Sequence, residues 1–218
     1  MKVALLYYGL VRTLADTWPA VQTCFAPYTP DLYFYLNEPA QEPAVRALIR
    51  PTLLLAEPDH KLPEKNYHSR IGPGVNDIQN DLRQMHGLLR VNALRKSTGI
   101  AYDWIVRLRA DLFFTRSPAP LSELSPHAVY LPGFSNFFGY NDRFAFGPPH
   151  LMDIYMDRFT TFDDYFTNGG EFHMESFLAW TVRKNQIPIA RTTAEFDTLR
   201  LDGTRVPPFR HRGMGDTI

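Results

Sequence analysis

Between Tyr102 and Phe114 the chain reads Tyr-Asp-Trp-Ile-Val-Arg-Leu-Arg-Ala-Asp-Leu-Phe-Phe, an apolar run with Arg107, Arg109 and Asp111 set into it. Such a run suits a buried strand, yet buried charge is costly unless it is paired or liganded. The three ionisable residues recur at a spacing of two, so in an extended chain they share one side. The conflict resolves if the strand runs out at its C-terminal end into a polar site with Asp111 at the lip. Open α/β sheets bind their ligands at that edge.

The rest of the chain supplies partners for such a strand. Val3–Tyr8, Asp31–Leu36 and Thr52–Ala56 read as strands, separated by helices over Thr13–Phe25 (with Pro19 at a possible joint) and Glu42–Arg50. Residues 57–75, rich in Pro and Gly, read as loop. A helix over Asp77–Ser97 follows, with Ile78, Leu82, Met85, Leu89 and Ala93 as its apolar stripe and Gln79, Arg83, His86 and Arg90 opposite. Pro118, Pro120 and Pro126 break up the connection after Phe114. Short strands are expected at Val129–Leu131, Arg143–Phe146 and Ile187–Ile189, and helices at Met152–Phe159 and Glu171–Lys184, where Met174, Phe177, Leu178, Thr181 and Val182 share a face. The order favours an α/β sandwich, and 218 residues suffice for one substantial core, so residues 1–218 are expected to form a single domain.

Composition narrows the function. Acidic and basic residues balance at 23 each, so no general charge draws the chain to nucleic acid or to an anionic membrane. Cys24 is the only cysteine, which excludes an intrachain disulfide, a CxxC zinc site and an Fe–S cluster, and suits a reducing compartment. The apolar opening stops at Gly9 and Arg12 with no small-residue cleavage site after it, so a first buried strand is a better reading than a signal peptide. No run approaches the length of a membrane span.

Several clusters carry candidate chemistry. Gly9 and Arg12 lie just beyond the first strand, where glycine permits close approach of a ligand and arginine can clamp a phosphate through two parallel hydrogen bonds. The plain alternative is a turn glycine and a solvated arginine. Asp111 suits a divalent cation that neutralises a diphosphate; otherwise Arg109 satisfies it, and Arg107 and Arg109 are structural partners of buried acids. Asn141-Asp142-Arg143 sits between Phe137-Phe138 and Phe144 with Phe146, a polar triplet in an aromatic setting that suits a sugar, or else a capped turn. Glu175 falls early in its helix, as a helix-start carboxylate or as a base facing a cleft. His211, between Arg210 and Arg212, reads as a solvated basic tail or as a metal or diphosphate contact. Ile71-Gly-Pro-Gly-Val-Asn76 lacks the preceding strand and third glycine of a dinucleotide motif.

Taken in order, the opening Val3–Arg12, the helix leading into Tyr102–Asp111, the segment Asn141–Gly147 and Glu175 with its helix resemble the small GT-A-type nucleotide-sugar-dependent glycosyltransferases of bacterial surface-polysaccharide synthesis and large DNA viruses. The resemblance implies a GT-A-like, Rossmann-like α/β/α sandwich with a mostly parallel central mixed sheet. It implies that Gly9 and Arg12 help hold the nucleotide diphosphate. The family's Asp-x-Asp metal motif falls on Arg109-Ala-Asp111, so its first acid is absent. Only Asp111 carries over as a ligand for Mn2+ or Mg2+, with Arg109 sharing its work and His211 completing the metal site. In an inverting enzyme Asp142 is the acid expected to take the acceptor proton, with Glu175 as the alternative. In a retaining enzyme Glu175 instead contacts the donor sugar. Donor and acceptor are expected to be a nucleotide-diphosphate sugar and a glycan or lipid-linked saccharide, in the cytoplasm. The incomplete acidic motif keeps open a non-catalytic nucleotide-sugar- or carbohydrate-binding protein on the same fold. A metal-dependent nucleotidyltransferase or phosphohydrolase is the other alternative, and it expects a denser carboxylate cluster.

Overall fold

The computed structural model describes residues 1–209. The first half runs β1 (Val3–Tyr8), α1 (Leu14–Phe25), β2 (Asp31–Leu36), α2 (Glu42–Leu48), β3 (Leu53–Ala56), α3 (Ile78–Lys96) and β4 (Trp104–Leu108). The second half runs β5 (Leu112–Arg116), β6 (Val129–Leu131), β7 (Phe144–Gly147), α4 (Pro149–Met156), α5 (Phe162–Thr167), α6 (Met174–Lys184), β8 (Ile189–Arg191), β9 (Glu195–Leu199) and β10 (Arg205–Val206). A 7-stranded sheet has the order β3-β2-β1-β4-β7-β6-β8, and a 3-stranded sheet the order β10-β9-β5. In the large sheet β7 alone runs antiparallel to its neighbours, β4 and β6, while the other pairs are parallel.

Strand β1 shows why the sheet is covered on both faces. Val3, Leu5 and Tyr7 join a core beneath α1, α2 and the small sheet, whereas Ala4, Leu6 and Tyr8 join a second core beneath α3, α4 and α6. Every residue of β1 is buried, as expected of a strand inside a mostly parallel sheet. The result is an α/β/α sandwich. A third cluster, rich in aromatic rings from α5 and the start of α6, packs against the N-terminal half of α3. No helix among the described residues is long and apolar enough to cross a membrane.

Three expectations need correction. The Tyr102–Phe114 run is two strands: β4 ends at Leu108, the chain turns through Arg109–Asp111, and β5 pairs with β9 in the small sheet. The turn is pinned by α1 and the residue before it: the Thr17 and Thr13 hydroxyls donate to the Ala110 carbonyl at 2.7 and 3.3 Å. Arg107 therefore stays in the sheet, fully buried, one residue before the end of β4. In α3 the buried stripe passes through Ile78, Leu82, Met85, Leu88, Val91 and Arg95, leaving Leu89 half-buried and Ala93 exposed. Lastly, Phe144 and Phe146 lie in the core at 0% exposure, so they line no cleft. Helix α1 is continuous through Pro19.

Candidate active site

The carboxyl ends of β1, β2 and β4 and the segment entering β7 lie along one edge of the sheet, together with the N-terminal turns of α3 and α6. Both helices are capped there. Asp77 accepts from the Gln79 and Asn80 amides at 2.9 and 3.3 Å, and His173 Nδ1 accepts from the Ser176 amide at 3.3 Å. Three adjoining hollows of about 590, 450 and 400 Å³ cross this edge, and Arg109 and Gln84 line all of them. They make one groove with Arg109 at its centre.

At one end the groove is lined by Gly9, Arg12, Asn37, Arg109 and Asp111. Gly9 has φ +88°, and its amide donates to the Tyr35 carbonyl at 2.9 Å. A side chain would find room there, with only Asn37 Oδ1 at 4.0 Å, so the positive φ is what favours glycine. Arg12 is half solvated and lies 3.4 Å from Glu38. Arg109 grips Asp111 through two parallel bonds, Nε–Oδ1 at 3.0 Å and Nη2–Oδ2 at 2.5 Å. Burial opposes the guanidinium charge, but Asp111 beside it holds the Arg109 pKa above its ordinary value.

At the other end Asp81, Asp142, Arg143, His173 and Glu175 face a cleft together with Phe137 and Phe138. Burial alone would raise the Asp142 pKa, yet the charges of Arg107, Arg158, Arg109 and Arg143 hold it below the usual carboxylate range. Arg158 Nη2 lies 3.7 Å from Asp142 Oδ2. Arg107 is wholly buried, its pKa pushed down to about 10 by burial, and its guanidinium donates to the Tyr8 hydroxyl. Glu175 has the opposite character. Burial, reinforced by the Asp142 charge, pushes it up to about 8. Since Nδ1 of His173 accepts from Ser176, its ring proton belongs on Nε2, 3.4 Å from Glu175 Oε2. Burial lowers the His173 pKa, keeping the ring neutral.

The expected residues therefore fall into two groups that meet at Arg109. Gly9, Arg12 and Asp111 occupy one end, and Asp142 and Glu175 the other. His211 lies outside the described residues. Around Asp111 the described residues offer no complete cation site: both its carboxylate oxygens accept from Arg109, whose charge opposes a second cation there. Among the described residues no group of three His, Cys, Asp or Glu side chains could hold a metal.

Sequence reasoning missed Asp81 and Arg158. Asp81, pushed up to about 6 by burial and then by the charges of Asp142 and Asp77, faces the groove from α3. Its signal was present: Asp77, Asn80, Asp81 and Gln84 follow an i, i+3, i+4, i+7 spacing, a second polar stripe beside the one assigned. Arg158 gave none, because its place beside Asp142 depends on how the 3-10 turn after α4 packs.

The chain matches the family described as Domain of unknown function (DUF7796) over residues 76–211, more than half its length, and belongs to it. No curated protein matches the chain. Among solved structures, a glycosyltransferase involved in the glycosylation of the major capsid of PBCV-1 aligns over 88% of this chain and 82% of its own, at 11% identity and TM-score 0.47. An active-site mutant of LgtC aligns over 87% of this chain and 72% of its own, at 11% identity and TM-score 0.49. At such values neither likeness speaks to the reaction of this chain, which has to be argued from its site.

Proposed function

We propose that this protein is a glycosyltransferase that moves a sugar from a nucleotide-diphosphate donor to a hydroxyl of a glycan acceptor. The observation that carries the reading is the single groove in which a turn bearing Gly9 and Arg12 is joined through Arg109 to a cleft lined by Asp142 and Glu175. Its two ends match the two halves of the reaction. The acceptor oxygen attacks the anomeric carbon, the bond to the diphosphate breaks, and the electron pair leaves on the phosphate. Arg12 and Arg109 stabilise that departing charge.

The acceptor proton passes to Glu175. The sequence favoured Asp142 as this base with Glu175 as the alternative, and their surroundings reverse the order. Asp142, held ionised by arginines, is a weak base that offers a fixed negative charge near the positive sugar of the transition state. Glu175, with a pKa near the working range, has the basicity to take a proton. His173 orients it. The reading uses no metal step, since the donor set around Asp111 does not favour one. It keeps the cytoplasmic setting expected for a user of nucleotide-sugars.

The pairing of Asp111 with Arg109 also favours a second reading, a nucleotide-sugar-binding protein without turnover. Thermal stabilisation by a panel of nucleoside diphosphates and nucleotide-sugars, with chelator or with manganese, tests what both share. Selective stabilisation by one nucleotide that survives chelator and is weakened in Arg12→Ala is expected. A panel with no response would overturn both readings, and binding that appears only with manganese would overturn the metal-free site.

A further inference from the structure

Phe138 is the most exposed large apolar side chain among the described residues, 81% accessible, and it stands at the mouth of the cleft. A lone exposed phenylalanine is ordinary; the backbone beneath this one is not. Ser135, Phe137 and Phe138 have φ of 51°, 37° and 67°, a positive range that residues other than glycine rarely adopt. The loop is held there from both sides. Ser135 and Phe209 exchange two hydrogen bonds of 2.9 and 3.0 Å, and the Phe137 and Phe209 rings stack at 6.0 Å. Beyond them, Gly139 packs on the peptide of Glu175 so closely that a Cβ would lie 1.9 Å from the Glu175 carbonyl oxygen, and the Tyr140 amide donates to that oxygen at 3.3 Å. The strain therefore turns the Phe138 ring outward while fixing its loop to the peptide of Glu175.

We propose, resting on the transferase reading, that Phe138 is the platform for the acceptor: the C–H face of a pyranose stacks on its ring and one sugar hydroxyl meets Glu175. An aromatic face beside a few convergent polar groups suits a molecule with one apolar face and a rim of hydroxyls. His173, whose ring lies 6.3 Å from that of Phe138, and Arg143 flank the place the rim would occupy. The acceptor class is thereby a saccharide rather than a peptide side chain or a phosphate. The donor sites at Gly9 and Arg12 lie at the far end of the groove, so this contact separates acceptor binding from donor binding.

Saturation-transfer NMR on the full chain tests it, using the methyl glycosides of glucose, galactose, mannose and N-acetylglucosamine, on wild type, Phe138→Ala and Phe138→Trp. At least one glycoside is expected to bind through its C–H protons. Loss of a stacking contact should weaken that binding about five- to tenfold in Phe138→Ala, with recovery in Phe138→Trp and an unchanged melting temperature. Nucleoside diphosphate stabilisation, measured in parallel, should be equal in all three. Glycoside binding that survives Phe138→Ala, or a protein that binds nucleotide but none of the glycosides, would overturn the platform. So would a variant whose nucleotide binding falls in step with its glycoside binding. Absence of nucleotide binding in wild type is the separate failure of the transferase reading.

Discussion

Two carboxyl groups in one cleft, Asp142 and Glu175, are shifted in opposite directions by what faces them. Asp142 sees four arginines and stays ionised; Glu175 sees burial and the Asp142 charge and is pushed up to about 8. Because the folded protein holds the Glu175 proton more tightly than the unfolded chain, its contribution to stability is complete below the ordinary carboxyl pKa of about 4.3 and is lost as pH rises through about 8. Urea midpoints taken across that window should fall with pH in wild type and fall less in Glu175→Gln; identical slopes would contradict the assignment. Asp142 has the reverse dependence on its partners. In Asp142→Asn, Arg107 and Arg158 lose the charge that compensates their burial, a loss expected to cost about 3–5 kcal/mol in denaturant titration. A cost under about 1 kcal/mol would show that the arginines are satisfied otherwise. Asp142 was legible in the sequence as a polar triplet between aromatic runs. Apart from its neighbour Arg143, its arginine cage was not, because Arg107, Arg109 and Arg158 converge on it only in three dimensions.

At the scale of elements, alternation and 3.6-residue periodicity gave most strands and helices within a few residues. The break after β4 was invisible because Arg109-Ala-Asp111 carries no glycine or proline. It is imposed from outside, by the hydroxyls of Thr13 and Thr17 at the start of α1 on one carbonyl. Strand β9 escaped for a similar reason, since Glu195–Leu199 mixes polar and apolar residues and becomes a strand by pairing with β5 and β10. The stripe of α3 was misread by one position at Leu88, a drift that a 19-residue helix allows. One junction between elements is testable directly. Gly139 lies against the first turn of α6, so Gly139→Ala must push apart the loop and the helix that carries Glu175. A destabilisation of about 1–3 kcal/mol is expected, with donor turnover reduced more than nucleotide binding. Equal loss of both would contradict the placement of this contact at the acceptor end.

For the whole molecule, the buried β1, its parallel partners and the covered faces could be anticipated from the opening residues, and so could the edge along which the groove runs. What the sequence left open was how the candidate residues divide. The fold gathers the diphosphate candidates and the acids at two ends of one groove, with Arg109 between them. That division is the central claim, and donor turnover tests it most directly. Nucleoside diphosphate released from UDP-, GDP- and dTDP-sugars, with chelator present and with and without added glycosides, should be measured for wild type and Glu175→Gln. We expect one donor to be consumed by wild type, and consumed at least about a hundredfold more slowly by Glu175→Gln, with nucleotide binding intact in both. A protein that binds the nucleotide but consumes no donor, or whose turnover is untouched by Glu175→Gln, would contradict the account.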